Sequence, residues 1–256
     1  MYNLLSLKKD IVEVGRRVYA RGYVASNDGN ISARLDKDRF VITPTGVSKG
    51  FMNVEDMVVI DMKGKVVSGQ KKPSSEMFMH LEVFKNRPDV NGIVHSHPPY
   101  ATGFAVAGIP LNKCILPEVI IVLGGIPLIE YGTPGTEEFY RPILKHLEKH
   151  DAFLLANHGS LTVGKDVFNA YYKTETLEHF AHIAFVAQQL GVMNVLNREE
   201  VKKLTDLREK FGIKSDLSCE TCEDQKTCGA SPPNDPREEQ LIKEATDQVM
   251  KRLERP

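Results

Sequence analysis

The sequence predicts a mixed α/β protein in which helices cover a β-sheet. Short apolar runs end in polar residues or glycine at GIVHSH (residues 92–97), IPLIEYG (126–132) and AFLLANHG (152–159), a pattern typical of buried strands. Segments with apolar residues at helical spacing lie before, between and after these runs. The chain of 256 residues is long enough to bury a substantial core, so we expect one large domain with an appendage.

The first third of the chain opens with a helix and continues with strands. Residues 4–20 carry apolar side chains at helical spacing, and Gly22 offers a stop. The runs RFVITP (39–44) and MVVIDMKGKVVS (57–68) are typical of strands, and the second turns at Lys63-Gly64.

Four further helices are predicted from apolar spacing or from terminal residues. They cover residues 74–89, 136–150, 166–190 and 197–212. The first begins with serine caps and ends before a proline, and the last opens with Asn197 and Glu200 in a capping-box pattern.

The composition changes after Gly212. Residues 213–236 contain few large apolar side chains and many turn formers, which predicts a flexible linker rich in cysteine and proline after a domain of residues 1–212. Residues 237–256 form an amphipathic pattern with one apolar face: Leu241, Ile242, Ala245, Val249, Met250 and Leu253. An isolated helix of this length is marginal in water and needs a surface on which to dock.

Composition excludes several classes of partner. Charged residues make up 26% of the chain and the formal net charge is -1, so we expect neither nucleic acid nor an anionic membrane surface as a partner. No stretch is long and apolar enough to span a bilayer, and no signal-peptide cleavage site follows the N-terminus. These features predict a cytoplasmic protein.

The cysteine pattern fits the same compartment. Cys114 is distant in sequence from the other cysteines, whereas Cys219, Cys222 and Cys228 lie together in the polar segment. This pattern predicts reduced thiols in a linker instead of disulfides that cross-link the domain. The C-x2-C-x5-C spacing lacks the fourth ligand of a closed structural zinc site. A metal or redox role would need a further ligand from elsewhere.

Three histidines form the first candidate for chemistry. His95 and His97 point to the same side of an extended segment, so both imidazoles can reach one ion. His158 also follows an apolar run, and the glycine after it permits close backbone approach. Three neutral imidazoles suit a divalent transition metal with an open position. The alternative is a group of hydrogen-bonded histidines at strand ends.

A carboxylate is expected beside such a site. Glu76 begins the helix of residues 74–89, behind a proline and two serines, and is the best candidate. The alternative is an ordinary N-terminal acid, which the helix dipole favours by a few tenths of a kcal/mol up to about 1 kcal/mol. Spacing alone leaves both interpretations open.

Three stretches combine glycine turns with small hydroxyl residues: SNDGNIS (26–32), TPTGVSKG (43–50) and KPSSE (72–76). Backbone amides at such turns and at a helix start bind phosphate monoesters, although ordinary turns use the same residues. Together with a metal site, they predict a small phosphorylated substrate.

An ordered set of motifs resembles the class II aldolase/adducin family over roughly Leu4 to Gly212. The set is DGNISAR (28–34), ITPTGVSKG (42–50), PSSE (73–76), VHSHPPYATGFA (94–105) and ANHGS (156–160). The resemblance implies a three-layer α/β/α fold around a central, mainly antiparallel sheet. It also implies a homotetramer with active sites between subunits.

The resemblance further implies the roles of individual residues. One Zn2+ per subunit would be held by His95, His97 and His158. Glu76 would be the catalytic acid/base, able to approach the metal when no substrate is bound. The family's phosphate-binding positions fall on Asn30, Thr45, Gly46, Ser74 and Ser75. Lys49 lies close by in sequence and is a further candidate.

The implied reaction is the reversible cleavage of a 6-deoxyketose 1-phosphate into dihydroxyacetone phosphate and lactaldehyde. The substrate would be L-fuculose or L-rhamnulose 1-phosphate. Where the fuculose branch carries a tyrosine from the neighbouring subunit, an ungapped alignment back from Gly124-Gly125 places Glu118. A glutamate resembles the rhamnulose branch and some dehydratases. The alternative is that Glu118 is a surface or interface acid.

Other functions of the same family stay open. A sugar-phosphate epimerase or dehydratase would use the same metal site, but Glu76 differs from the aspartate of the ribulose-5-phosphate 4-epimerase branch. A non-catalytic, adducin-like binding protein would be expected to lose metal ligands, and this chain keeps all three histidines. His179 and His182, on the long helix of residues 166–190, are expected to be packing or surface residues.

The linker and the amphipathic tail of residues 237–256 resemble the encapsulation peptides that direct enzymes into bacterial microcompartments. The tail would then bind a shell protein. The alternative is that the helix packs on its own tetramer.

Overall fold

The fold is organised around one mainly antiparallel β-sheet. The computed structural model describes residues 3–210 and 219–221. Eight strands are found in these residues: β1 (Asn30–Arg34), β2 (Arg39–Ile42), β3 (Val58–Asp61), β4 (Val66–Ser68), β5 (Gly92–Ser96), β6 (Leu128–Ile129), β7 (Ala152–Leu155) and β8 (Gly159–Gly164). They lie in the order β4-β3-β2-β1-β5-β8-β7-β6. Of the neighbouring pairs in the described sheet, only β6 and β7 run parallel.

Helices cover both faces of this sheet. They are α1 (Leu4–Ala20), α2 (Met77–Asn86), α3 (Pro99–Ala107), α4 (Pro117–Val122), α5 (Glu137–Tyr140), α6 (Val167–Gln189) and α7 (Arg198–Lys210). On one face, α1 and α6 pack against inward side chains of the strands, such as Val41 and Val94. On the other face, α2 and α5 cover Phe40, Ile93 and Phe153. The predicted three-layer α/β/α fold class is therefore confirmed.

Several predicted elements begin and end where the sequence indicates. α1 spans Leu4–Ala20, and the β3–β4 hairpin turns at Gly64, whose φ of 78° is left-handed. The Asp166 side chain caps α6 by accepting a hydrogen bond from the Asn169 amide. Asn197 and Glu200 exchange the two hydrogen bonds of a capping box at the start of α7.

Two helix predictions need correction. The single helix predicted over residues 136–150 is wrong, because α5 ends at Tyr140 and a 3-10 helix follows at Arg141–Lys145. Pro142 lacks an amide hydrogen and favours the start of a new turn over the continuation of α5. The serine caps predicted for α2 are also wrong, since Glu76 occupies the N-cap position.

The cysteine prediction is wrong for Cys114 and Cys219, which form a disulfide across a separation of 105 residues. The chain returns after α7 to pair Glu220 with Lys113 in a parallel bridge, and this return brings the two thiols together. Sequence spacing could not reveal it, because the pairing depends on the path of α7. Cys222 and Cys228 lie outside the described residues, as does most of the predicted linker of residues 213–236.

The predicted tail of residues 237–256 lies outside the described residues as well. Within residues 3–210 and 219–221, none of the helices combines the length and the apolar character that a bilayer crossing requires.

Candidate metal centre

The pairing of β5 with β8 brings two of the three candidate histidines together. His95 is the last residue but one of β5, and His158 lies in the turn that joins β7 to β8. Ser96 pairs with Ser160 in the antiparallel register, so the end of β5 lies beside the start of β8. His97 follows β5 directly, and its amide donates to the carbonyl of Tyr23 at 2.8 Å.

The three imidazoles converge through their Nε2 atoms. His95 Nε2 lies 3.2 Å from His97 Nε2 and 3.0 Å from His158 Nε2. One ligand atom from each of the three rings lies within 4.8 Å of the others. Tetrahedral nitrogen ligands about 2.0–2.1 Å from an ion stand roughly 3.4 Å apart. The spacing of the nitrogens therefore fits a single metal ion.

The hydrogen bonding of His95 also fits a metal ligand. His95 Nδ1 lies 2.8 Å from the Ser160 carbonyl oxygen. A carbonyl only accepts hydrogen bonds, so Nδ1 carries the proton, and in the neutral ring Nε2 presents its lone pair to the other imidazoles. Burial, together with the nearby His95 and His158, lowers the pKa of His97 to about 3, so this ring is a neutral donor at pH 7.

Glu76 reaches the same cluster from the start of α2. Its Oε1 lies 3.1 Å from His158 Nε2, and its Oε2 lies 3.2 Å from His95 Nε2. The side chain makes no capping hydrogen bond to α2, so it does not act as an ordinary N-terminal acid. Burial raises the pKa of Glu76, but His95, His158 and the amide of Asn30 outweigh it and hold this pKa below the usual range.

His80 supports Glu76 through a buried relay that the sequence analysis missed. The Asn30 amide donates to Glu76 Oε2 at 2.7 Å, and its Oδ1 lies 2.5 Å from His80 Nε2. His80 Nδ1 lies 2.6 Å from the Ser32 hydroxyl. Burial lowers the pKa of His80 to about 3, so the neutral ring accepts from Ser32 and donates to Asn30. The sequence signal that could have indicated His80 is its spacing of four residues from Glu76, which places both side chains on one face of a helix.

Gly159 makes room for the rings. A Cβ at this position would lie 2.5 Å from His97 Cδ2 and 2.7 Å from the Ser96 carbonyl oxygen. Asn157, two residues earlier, has a left-handed φ of 56°, which tightens the turn that carries His158. The close backbone approach expected at this glycine is confirmed.

Comparison with known proteins agrees with this geometry. The sequence model of the family described as class II aldolase and adducin N-terminal domain matches residues 9–185. The chain belongs to the class II aldolase and adducin family. An L-fuculose phosphate aldolase of Methanococcus maripaludis is 36% identical over 181 residues, covering 71% of this chain and 97% of the relative.

Two further proteins similar to this chain are named for reactions of phosphorylated small molecules. A 3-oxo-tetronate 4-phosphate decarboxylase of Haemophilus influenzae is 36% identical over 204 residues, covering 78% of this chain and 96% of the relative. A solved L-fuculose 1-phosphate aldolase superposes with a TM-score of 0.74 at 33% identity, covering 81% of this chain and 96% of that one. The family match and the fuculose-phosphate aldolase relatives support an aldolase, an enzyme of the lyase class.

The residues predicted to bind phosphate lie at the start of β1 and on two loops that are hydrogen-bonded to each other. Thr45 and Gly46 follow β2, and the Thr45 amide donates to the Lys72 carbonyl at 3.0 Å. The Ser74 amide donates to the Thr43 carbonyl at 3.1 Å, so the two loops are held side by side. Ser74 and Ser75 directly precede Glu76, and Asn30 contacts it.

Glu118 is the remaining residue predicted for the site. It is exposed in the first turn of α4, and it makes no hydrogen bond or ion pair with the part of the chain that the structure describes. His179 and His182 are likewise exposed on α6 and outside the metal group. The His182 ring stacks on Tyr100 with centroids 3.9 Å apart, in keeping with the expected packing role.

We predict that Gly159→Ala weakens metal binding by roughly 10–100-fold, because the new methyl group displaces the His97 ring from the convergent arrangement. Metal affinity is measured by competition with a chromophoric chelator. Gly103→Ala is the matched control, since a Cβ at Gly103 in α3 meets no atom within 4 Å. Equal affinity for both variants would contradict the steric argument.

We also predict an acid-sensitive stability that depends on His80. The pKa of about 3 lies below the unfolded value, so the unfolded chain binds a proton that the folded His80 does not. The free energy of unfolding therefore falls as the pH drops below about 6.5, by up to about 1.4 kcal/mol per pH unit from this residue. Urea unfolding at several pH values measures the slope, which should be smaller in His80→Gln than in the wild type.

Proposed function

We propose that the chain is a zinc-dependent aldolase that cleaves a phosphorylated ketose. The observation that carries the proposal is the convergence of His95, His97 and His158 through their Nε2 atoms, with both oxygens of Glu76 against this cluster. Three imidazoles and an approaching carboxylate are a donor set that suits catalytic zinc. The fuculose-phosphate aldolase relatives support the reaction class.

The proposed mechanism assigns the proton transfers at C4 and at C3 to different residues. When bound, zinc supplies a Lewis acid that polarises the C2 carbonyl of the ketose. A base removes the proton from the C4 hydroxyl, the bond between C3 and C4 breaks, and its electron pair stays on C3. The base returns the C4 hydroxyl proton to solvent. Glu76 takes up a proton from solvent once substrate displaces it from the histidines and then delivers this proton to C3, which releases the three-carbon ketone phosphate. In the synthetic direction Glu76 removes the same proton, as reversibility requires.

Glu76 is well placed for this change of role. Its oxygens lie 3.1 and 3.2 Å from ring nitrogens of two different histidines, so before substrate binds the carboxylate can complete the ligand set. Substrate oxygens would displace it from this position. The hydrogen bond from Asn30, which His80 orients, keeps the carboxylate within reach of the substrate carbon.

The phosphate group is proposed to bind at the two paired loops. The proposed contacts come from Asn30, Thr45, Gly46, Ser74 and Ser75. All five supply neutral amide or hydroxyl donors, and the serines stand at the approach to the N-terminus of α2, where the helix dipole favours an anion.

The proposed substrate is a 6-deoxyketose 1-phosphate, either L-fuculose or L-rhamnulose 1-phosphate, which gives dihydroxyacetone phosphate and lactaldehyde. We assign the C4 hydroxyl proton to Glu118 of a neighbouring subunit in a homotetramer. Its exposure on α4 and its lack of a bonding partner within the described chain support a role outside its own subunit.

A second candidate reaction is decarboxylation of a phosphorylated 3-oxo acid. The Haemophilus influenzae relative, named a 3-oxo-tetronate 4-phosphate decarboxylase, favours it. Both reactions break a carbon–carbon bond beside a polarised carbonyl and end with a proton delivered to carbon. The same histidines and Glu76 therefore serve either reaction, and the substrate's leaving group distinguishes them.

We predict that Glu76→Gln reduces cleavage at least about 100-fold, because the amide can neither deliver nor accept the proton at C3. Cleavage of L-fuculose and L-rhamnulose 1-phosphate is followed by coupled reduction of dihydroxyacetone phosphate, with bound zinc measured on the same samples. Chelation should abolish activity, and added zinc should restore it. The ratio between the two sugars identifies the substrate.

Zinc binding without cleavage of either sugar would transfer the assignment to the decarboxylase, or to the epimerase or dehydratase members of the family. Activity that survives complete removal of metal would contradict the proposed mechanism. No bound metal together with no activity would favour a non-catalytic, adducin-like binding protein.

We further propose that the domain of residues 1–212 is joined by the linker of residues 213–236 to an encapsulation helix at residues 237–256. The amphipathic pattern of the tail supports this proposal. The enzyme would then work in the bacterial cytoplasm inside a microcompartment shell, which would confine the reactive lactaldehyde.

We predict that residues 232–256 fused to a fluorescent protein collect in puncta in cells that make shells. The apolar face of the helix needs a partner surface, and a shell protein would supply it. Fluorescence microscopy with and without shell expression is the measurement, and Leu241→Glu with Leu253→Glu is the control. Diffuse fluorescence of the unchanged fusion in shell-producing cells would rule the proposal out.

A further inference from the structure

Lys49 is a buried ammonium group beside the loops assigned to the substrate phosphate. It opens the 3-10 helix Lys49–Phe51, and only 1% of its surface is exposed. Its Nζ donates to the carbonyl oxygen of Asn27 at 2.8 Å and to that of Val47 at 2.9 Å. The proposed reaction leaves this residue without a role.

Lys49 forms no ion pair with any of the residues that the structure describes. Among the described residues, no carboxylate oxygen lies within 4.0 Å of its Nζ, and its recorded hydrogen-bond acceptors are two neutral carbonyls. Lys173, which is 9% exposed, pairs instead with Asp151 at 2.6 Å. Buried lysines are almost always paired, because an unpaired charge away from water is costly. Burial lowers the pKa of Lys49 to about 8, although the negative charges of Asp28 and Glu76 offset part of this effect.

The two carbonyls that hold Nζ belong to the two glycine loops of the proposed phosphate site. Asn27 lies three residues before Asn30, and Val47 directly follows Gly46. Lys49 therefore ties the two loops together and places its charge between them. The space beside Gly46 is open, since a Cβ built there would meet no atom within 4 Å.

A dianion at these loops needs more than the neutral donors. Asn30, Thr45, Gly46 and the two serines offer only amide and hydroxyl groups, whereas a phosphate monoester carries nearly two negative charges at pH 7. A cation in a poorly solvated position interacts with such a charge more strongly than an exposed lysine would. A lysine without an ion-pair partner among the described residues and a dianion held by neutral donors thus complement each other.

We infer that Lys49 determines the specificity for phosphorylated substrates by providing the positive charge that the bound phosphate neutralises. This inference rests on the proposed function, in which the substrate is a sugar phosphate. The site would take any small phosphate monoester, and methyl phosphate is the simplest probe of it.

The experiment compares Lys49→Gln, Lys49→Arg and Lys63→Gln in the zinc-loaded, full-length protein. Gln keeps a hydrogen-bond donor for the loop carbonyls but removes the charge, and Arg keeps both. Lys63 is an exposed lysine on the β3–β4 turn. Lys63→Gln therefore removes the same charge from the protein, but at an exposed position instead of a buried one. Dissociation constants for methyl phosphate are measured by calorimetry, and KM and kcat are measured with the ketose phosphates and with the unphosphorylated ketoses.

For Lys49→Gln we expect methyl phosphate binding to weaken by roughly 10–100-fold, the effect of losing a hydrogen bond to a charged group. The preference in kcat/KM for phosphorylated over unphosphorylated ketose should fall by a similar factor, chiefly through KM. Lys49→Arg should restore most of the binding, and Lys63→Gln should match the wild type. A merely structural role for Lys49 would not change the preference between the two kinds of ketose.

A pH series on the wild type tests the inference without any substitution that could impair folding. Methyl phosphate stays a dianion above pH 7, so its binding should weaken as the pH rises through about 8 and Lys49 loses its proton. Lys49→Arg should bind equally at pH 7 and pH 9. Constant binding by the wild type over this range would overturn the inference.

The outcomes separate the inference from the proposed function. Cleavage of sugar phosphates with unchanged methyl phosphate binding in a folded Lys49→Gln protein would refute the role of Lys49 and leave the aldolase intact. Methyl phosphate binding that depends on Lys49, without cleavage of either sugar, would support the phosphate role and refute the aldolase.

Discussion

The antiparallel pairing of β5 with β8 is the constraint on which the candidate site depends. It sets Ser96 opposite Ser160, and the Ser160 carbonyl in turn fixes the ring of His95. The turn before β8 then brings His158 Nε2 to within 3.0 Å of His95 Nε2. Because ladder hydrogen bonds set this register, the separation of the imidazoles is a property of the sheet and not of flexible side chains.

A second set of interactions holds the Glu76 carboxylate beside the histidines. β1 pairs with β5 so that Asn30 stands opposite His95, and α2 carries both Glu76 and His80 toward the same point. The buried relay from Ser32 through His80 and Asn30 holds Glu76 by one oxygen. In the proposed mechanism, the carboxylate turns from the histidines toward a substrate carbon while Asn30 stays hydrogen-bonded to it.

Charge is distributed unevenly around this centre. Glu76 and Asp28 supply negative charge near the histidines, with Asp28 Oδ2 lying 3.7 Å from His97 Nδ1. The Lys49 ammonium group donates to the Asn27 carbonyl, where the proposed phosphate site begins. Under the proposed function, the divalent cation would lie beside Glu76 and the phosphate dianion beside Lys49.

The α/β class, helices such as α1 and α6, and the candidate ligands His95, His97, His158 and Glu76 could be predicted from the sequence, because apolar periodicity and polar residues at strand ends are local signals. It did not reveal His80, since a buried histidine on a helix resembles any core residue until its partners on β1 are known. Nor did it pair Cys114 with Cys219, or show that Lys49 has no carboxylate within ion-pair distance among the described residues. These features became visible in the folded chain, because each depends on contacts between segments that are far apart in the sequence.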